Sequence, residues 1–386
     1  MSSALSRLSE RLRVSRVPTQ IEQPGDLEVL LALPAWSVMR STDRDYIYTR
    51  FPLLNRRFKL RFRGNRGLRS LALSNAQYTI QRVAPHLRLS LVNYNAVPGL
   101  RVAPSTHVIF SYGQFPLGTK ANVPILWEHT FAPQRGLDED AWRKQLRAAH
   151  LRSASEATRI VTATELSQRW FRRVFPDLAH KVSSIPYYLP HLSLLDRATL
   201  ERKAADSGKL QVLFVGKQAR RKGLDSLVEA WKLLDTDVRE QLQVTVVSGM
   251  LDGAVSLPAE WKHHASVPDV TALMRDAHIL AFPTKHEAYG LVLVEGMSAG
   301  CAIVTTSAEI QRSIVGPAAG SFVDPTSAVE LAAALTALCA DRSALRAKMF
   351  AAHDRFAESY APDVVGARYA QLLWETAGRR IDMIAR

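Results

Sequence analysis

Two glutamates, Glu287 and Glu295, flank Gly290 in the run FPTKHEAYGLVLVEGMSAGCAIVT, with seven residues between them. A carboxylate accepts two O–H donors at once, so the pair suits a ligand rich in hydroxyls. Glu287 falls in a polar loop, where it can take sugar hydroxyls. Glu295 falls about a turn inside a helix, where it can take the diol of a ribose. Gly290 lets the chain turn into that helix, whose first amides have no internal partner and attract an anion, most often phosphate. The plain alternative leaves both glutamates on a solvated loop and helix face.

A second group lies seventy residues upstream, in VGKQARRKGLDSLVEAW. Gly216 permits a tight exit from a strand, and Lys217 and Lys222 follow on the loop leading into a helix. Two cations at the carboxyl end of a parallel strand can clamp a diphosphate and stabilise charge that builds on it. Arg220 and Arg221 stand between them. Alone, such a cluster reads equally as a solvated basic turn.

The elements that must carry these residues alternate strand and helix, as in a parallel sheet covered on both faces. In the second half, residues 210–215, 242–248, 279–283 and 302–305 read as strands, and residues 224–234, 270–277 and 328–340 as helices. Residues 281–283 close a buried strand and 285–289 form an exposed loop. Residues 291–294 would be strand by propensity alone. In the first half, 27–33, 108–111, 125–129, 160–164 and 182–186 read as strands, and 137–156 and 166–175 as helices, the second capped by Thr164. Between 189 and 208 strands disappear and polar residues accumulate, which places a connection there.

Glu287, Tyr289, Gly290, Glu295, Met297, Ala299 and Gly300 together resemble the signature of the retaining family 4 glycosyltransferases, with Ala288 where that family usually has glycine. The lysine loop is similar to the same family's arginine-then-lysine loop, Lys217 standing in the arginine place and Lys222 in the lysine place. A lysine there keeps the charge and loses the bidentate fork. His129, just beyond a strand in ILWEHTFAP, matches a family histidine that faces the donor sugar. The resemblance is good from about residue 158 to 351 and covers the rest in outline. Pro34 to Trp36 stand where the family has a glycine-rich loop, and Tyr187 and Tyr188 where it has asparagine and glycine.

The resemblance implies an α/β fold of the GT-B type, two Rossmann-like domains with parallel sheets facing across a cleft. It implies an acceptor-binding domain over 1–190, a linker over 191–208, a nucleotide-sugar domain over 209–363, and a terminal helix over 364–386 returning to the first domain. It also decides for helix over 291–294. The implied reaction is sugar transfer from a nucleotide-diphosphate-sugar donor to an acceptor hydroxyl with retention, needing no metal and no other cofactor. Gly216, Lys217, Arg221 and Lys222 would hold the diphosphate and Glu295 the ribose. Glu287 and His129 would act at the sugar, and the backbone of Ala288, Tyr289, Gly290 and Leu291 would meet phosphate or sugar. A sugar-nucleotide epimerase, a phosphorylase or a non-catalytic polyanion binder on the same scaffold are the alternatives.

Composition sets the remaining bounds. With 386 residues and 47% hydrophobic content, the chain suggests two globular domains. Cys301 and Cys339 lie in apolar segments without metal-ligand spacing, which suggests buried thiols and a reducing, cytoplasmic setting. No long apolar run suggests a membrane span. The net charge of +14 concentrates between Arg40 and Arg69, where ten Lys or Arg residues face only Asp43 and Asp45. Residues 58–63 alternate apolar and basic, as in a strand with one basic face. Residues 2–17 could form a short amphipathic helix. These features suit an anionic membrane surface, with a peripheral place at its inner face, or simply a solvated basic surface. Nucleic acid is disfavoured because no module for it accompanies the charge. A glycan or lipid-linked acceptor follows from charge and family habit.

Overall fold

The computed structural model describes residues 28–32, 59–61, 108–112, 124–129, 154–189, 191–249, 251 and 255–378. The amphipathic stretch 2–17, the segment 34–36, residues 137–153 and the basic region apart from residues 59–61 lie outside them.

Two six-stranded sheets, each parallel throughout, follow one another along the chain. The first contains β1 (Glu28–Ala32), β2 (Lys59–Arg61), β3 (Val108–Tyr112), β4 (Ile125–His129), β5 (Arg159–Thr162) and β6 (Val182–Ser184), in the order β2-β1-β3-β4-β5-β6. Helix α1 (Glu165–Val174) follows β5. Its first turn is closed by Thr164, whose hydroxyl accepts from the Ser167 N–H at 3.0 Å, so the predicted cap is present.

The second sheet contains β7 (Leu210–Val215), β8 (Leu242–Val247), β9 (Lys262–His264), β10 (Ile279–Phe282), β11 (Ala302–Thr306) and β12 (Gly320–Val323), in the order β12-β11-β10-β7-β8-β9. The chain starts this sheet at β7, builds outward to β9, then crosses back to place β10 on the other side of β7. Strand order reverses between β7 and β10, and the crevice at the carboxyl ends of two such strands is where open α/β sheets take ligands. β10 and β11 are buried at every position, as near-continuous apolar runs covered on both faces require.

Helices complete the layers. In chain order they are α2 (Arg197–Ala204), α3 (Leu224–Leu233), α4 (Thr236–Glu240), α5 (Val270–Asp276), α6 (Leu291–Ser298), α7 (Glu309–Val315), α8 (Ala328–Ala340), α9 (Arg342–Ser359) and α10 (Pro362–Thr376). Residues 291–294 are thus helical. Burial overrides their strand propensity, since Leu293, Val294 and Met297 enter the core on one face of α6. Gly296 brings that helix close to the sheet: a Cβ there would lie 2.6 Å from Leu280 Cδ2 and 3.2 Å from Ile303 Cδ1. Helix α2 forms inside the polar stretch 191–208, and its Leu200 joins Leu195 in the core of the second sheet. Helix α10 comes back to the first sheet, packing near β4, with Arg368 donating to the Ser184 carbonyl at 2.6 Å. Cys301 and Cys339 are free, buried thiols. Among the described residues no helix is long and apolar enough to cross a membrane.

Gly223 fixes how the lysine loop meets β10. Its φ is +81°, and a Cβ would lie 2.0 Å from the Pro283 carbonyl oxygen. A left-handed alanine costs about 1–2 kcal/mol before any clash, and the clash here is with backbone that cannot turn away. Gly223→Ala is expected to lower the melting midpoint by about 10 °C, at roughly 2–4 °C per kcal/mol for a unit of this size. A fall of under 2 °C in a thermal melt would show that the loops are not in this register.

Candidate functional site

The carboxyl ends of β7 and β10 carry the two motifs. Leaving β7, Gly216 gives Lys222 room, because a Cβ at 216 would lie 2.8 Å from the Lys222 Cγ. Leaving β10, the chain passes Pro283 and bends through 284–289 into α6 at Gly290, whose φ is +90°. No side chain caps α6; the Leu293 N–H donates to the Gly290 carbonyl at 2.9 Å, and among the described residues no side chain takes the N–H groups before it.

Between the two loops, Lys222 Nζ forms an ion pair and hydrogen bond with Glu287 Oε2. Both side chains are largely buried, at 13% and 15% exposure, and the ammonium lies 5.1 Å from the centroid of the Phe282 ring. Burial lowers the Lys222 pKa from the usual lysine range, and Glu287 opposes that shift. The topology places a cation and a carboxylate, 65 positions apart in sequence, in direct contact at the reversal point.

Further bonds join the same loops. Arg221 donates through Nη1 to the His286 carbonyl at 2.7 Å and through Nε to Gln218 Oε1, so its guanidinium is engaged in holding the loop before Glu287. The Arg221 carbonyl in turn accepts from the Lys285 N–H at 3.0 Å. Lys285 Nζ pairs with Asp225 Oδ2 at 2.5 Å, tying that loop to the first turn of α3. Sequence reasoning missed this last pair. Its trace was an acid in the first turn of the helix after the lysine loop and a lysine two positions before Glu287.

The remaining candidates are dispersed around this centre. Lys217 is exposed on the β7 loop. The Ala288 N–H donates to Glu287 Oε1 at 3.1 Å, which holds the carboxylate back against its own loop. Tyr289, read from the sequence as the end of an exposed loop, is instead 5% exposed, because its ring packs into the core below α6. Leu291 opens the helix beside it. Glu295 lies one turn further on, and burial alone pushes its carboxyl up to about 7. Among the described residues nothing forms an ion pair with it. His129 is the last residue of β4, in register with Thr162 of β5 at the carboxyl edge of the first sheet.

Residues 196–353 match the family model described as glycosyl transferases group 1. A D-inositol 3-phosphate glycosyltransferase of Arthrobacter sp. (strain FB24) is 28% identical over 179 residues, a match covering 43% of this chain and 42% of that protein. The chain therefore matches well under half the length of this relative. Among solved structures, HepE of Anabaena, crystallised with UDP and glucose, superposes with a TM-score of 0.63 at 15% identity, covering 90% of this chain and 100% of that one. WaaG, a glycosyltransferase of lipopolysaccharide biosynthesis, gives 0.54 at 14%, covering 90% and 99%. At such identities the structural likeness establishes the fold, which is GT-B. The lysine loop, the glutamate pair and the helix start that join them all fall within 196–353, the stretch that matches the glycosyl transferases group 1 model.

Proposed function

We propose that the chain is a retaining glycosyltransferase that moves a sugar from a nucleotide-diphosphate-sugar to an acceptor hydroxyl in cell-surface or lipid-linked glycan assembly, without a metal. The observation that carries this reading is the Lys222–Glu287 pair at the strand reversal, beside the uncapped start of α6. A diphosphate arriving there competes with Glu287 for the ammonium, and the released carboxylate is then placed to accept sugar hydroxyls. Lys217 adds a second cation on the Gly216 turn. Arg221 holds the loop, and the α6 amides from Gly290 onward meet phosphate or sugar. As the bond to the leaving diphosphate breaks, charge grows on its oxygens, where Lys222 stabilises it. His129 donates a hydrogen bond from the first sheet, and a leaving-phosphate oxygen takes the acceptor proton, so no protein base is assigned.

The names of similar proteins support this reading: one carries UDP and glucose, one serves lipopolysaccharide biosynthesis, and one is a D-inositol 3-phosphate glycosyltransferase. The test is a thermal-shift panel of nucleoside diphosphates and sugar nucleotides. A ligand at a hundred times its Kd adds about 2.7 kcal/mol to stability, so one base and sugar should stand out. Acceptor-dependent release of nucleoside diphosphate must follow with that donor. No stabilisation by any member, or release without acceptor, would sink the proposal. A peripheral cytoplasmic position is part of the same reading, and sedimentation with anionic liposomes that is lost at high salt would support it.

Glu295, as the ribose ligand, makes binding depend on pH. Its folded-state pKa of about 7 stands above the ordinary 4.5. The contribution to folding is therefore fully present below pH 4.5 and is lost as pH rises through 7, by about 3 kcal/mol at most. Glu295→Gln should accordingly melt higher than the native chain at pH 8 and nearly equally at pH 4. Ribose hydroxyls donate to the ionised form, so affinity for a nucleoside diphosphate should rise between pH 6 and 8 more than for its 2′,3′-dideoxy analogue. Titration calorimetry showing equal pH slopes for both would remove Glu295 from the ribose.

A further inference from the structure

The chain leaves the first sheet for the second through a connection whose described residues, 185–189 and 191–195, are anchored at both ends. At one end the Ile185 N–H donates to the Thr162 carbonyl of β5 at 2.9 Å. At the other, the Leu195 N–H donates to the Ser298 carbonyl at the end of α6, also at 2.9 Å. Between these anchors Leu189 and Leu192 are buried in the cluster that also holds Ala163, Leu166, Tyr289 and Leu293. Tyr187, half-buried, turns its ring onto that of Tyr289, with centroids 4.6 Å apart and planes tilted by 59°. Tilted aromatic pairs at this spacing contribute about 0.5–1.5 kcal/mol beyond the area they bury.

Tyr289 is not an ordinary core residue. It stands two positions after Glu287 and one before Gly290, in the loop that brings the carboxylate to Lys222. That loop has little slack. A Cβ at Gly290 would lie 3.3 Å from Glu287 Cγ and 3.1 Å from Leu293 Cδ1, so the glutamate stem, the turn and the helix are packed on one another. A shift of the Tyr289 ring is therefore passed to Glu287 and to the start of α6. The ring that holds it comes from the connecting segment, and neither sheet supplies it.

We propose that Tyr187 is a positioning residue for the Glu287 loop: its ring seats Tyr289 and thereby keeps Glu287 and the start of α6 in register with Lys222. The catalytic consequence rests on the transferase reading; the seating of the loop does not.

The test uses the full chain with Tyr187→Ala and Tyr187→Phe. In the alanine variant, amide hydrogen exchange over residues 284–293 should quicken about tenfold or more, while exchange in β8 and α8 stays as in the native chain. Sugar-transfer kcat should fall at least tenfold, since misplacement by about 1 Å can cost a hundredfold. Tyr187→Phe should restore both exchange and kcat. Unchanged exchange over 284–293 in the alanine variant would overturn the proposal. So would quickening spread evenly over the second sheet, or a phenylalanine variant as impaired as alanine. If exchange changes as described while the native chain transfers no sugar, the transferase reading falls and the seating of the loop stands.

Discussion

Lys222→Met is expected to lower sugar-transfer kcat by about a thousandfold, the upper range for losing one preorganised group that stabilises developing charge. Methionine keeps the length and apolar body of the stem, so the contact with Gly216 survives and the missing element is the charge. A second effect follows in the protein alone. Glu287 is left largely buried with no ammonium opposite, which costs stability, by about 2 kcal/mol for a pair that retains some access to water. Adding Glu287→Gln should return most of that stability and none of the activity. A double variant that melts like the native chain but does not transfer separates the two roles of the pair. Transfer within tenfold of native in Lys222→Met would remove the lysine from the diphosphate.

Glu287→Gln should divide binding from catalysis in the opposite sense. In the native site the carboxylate occupies the Lys222 ammonium, which on the proposed reading a diphosphate would need. Neutralising it removes a competitor, so a nucleoside diphosphate should bind several-fold tighter, by about 1 kcal/mol. The sugar loses its charged acceptor, and kcat should fall a hundredfold or more. Tighter product binding with slower turnover, read by calorimetry and by diphosphate release, is an outcome that simple damage to the fold cannot give. Weaker binding together with native turnover would refute the assignment.

The sequence was legible where each element carried its own signal. β7, β10 and β11 are short, mainly apolar runs between polar turns, α8 is an alanine- and leucine-rich stretch, and α1 begins at a threonine that caps it. Helix α9 went unnamed although its buried Leu345, Met349, Ala352 and Phe356 recur at helical spacing of four, three and four residues. β12 is a four-residue strand beginning with glycine at the sheet edge, and β9 is exposed throughout. In the site, residue types and loops could be read, and partners could not. The Lys222–Glu287 contact depends on β10 crossing back beside β7, and the Lys285–Asp225 tie depends on the same crossing. Tyr187 stood in the sequence as a departure from a pattern, and only the path of the connection shows which ring it meets.

Gly296 gives the helix that carries Glu295 a definite height above the sheet. With no side chain between them, α6 rests on Leu280 and Ile303, and the adjacent Glu295 and the turn at Gly290 take their elevation from that contact. One added methyl lifts the whole helix as a rigid lever, moving Glu295 and the first amides of α6 together. The height of that helix end above the sheet is thus set from beneath, at a residue with no side chain.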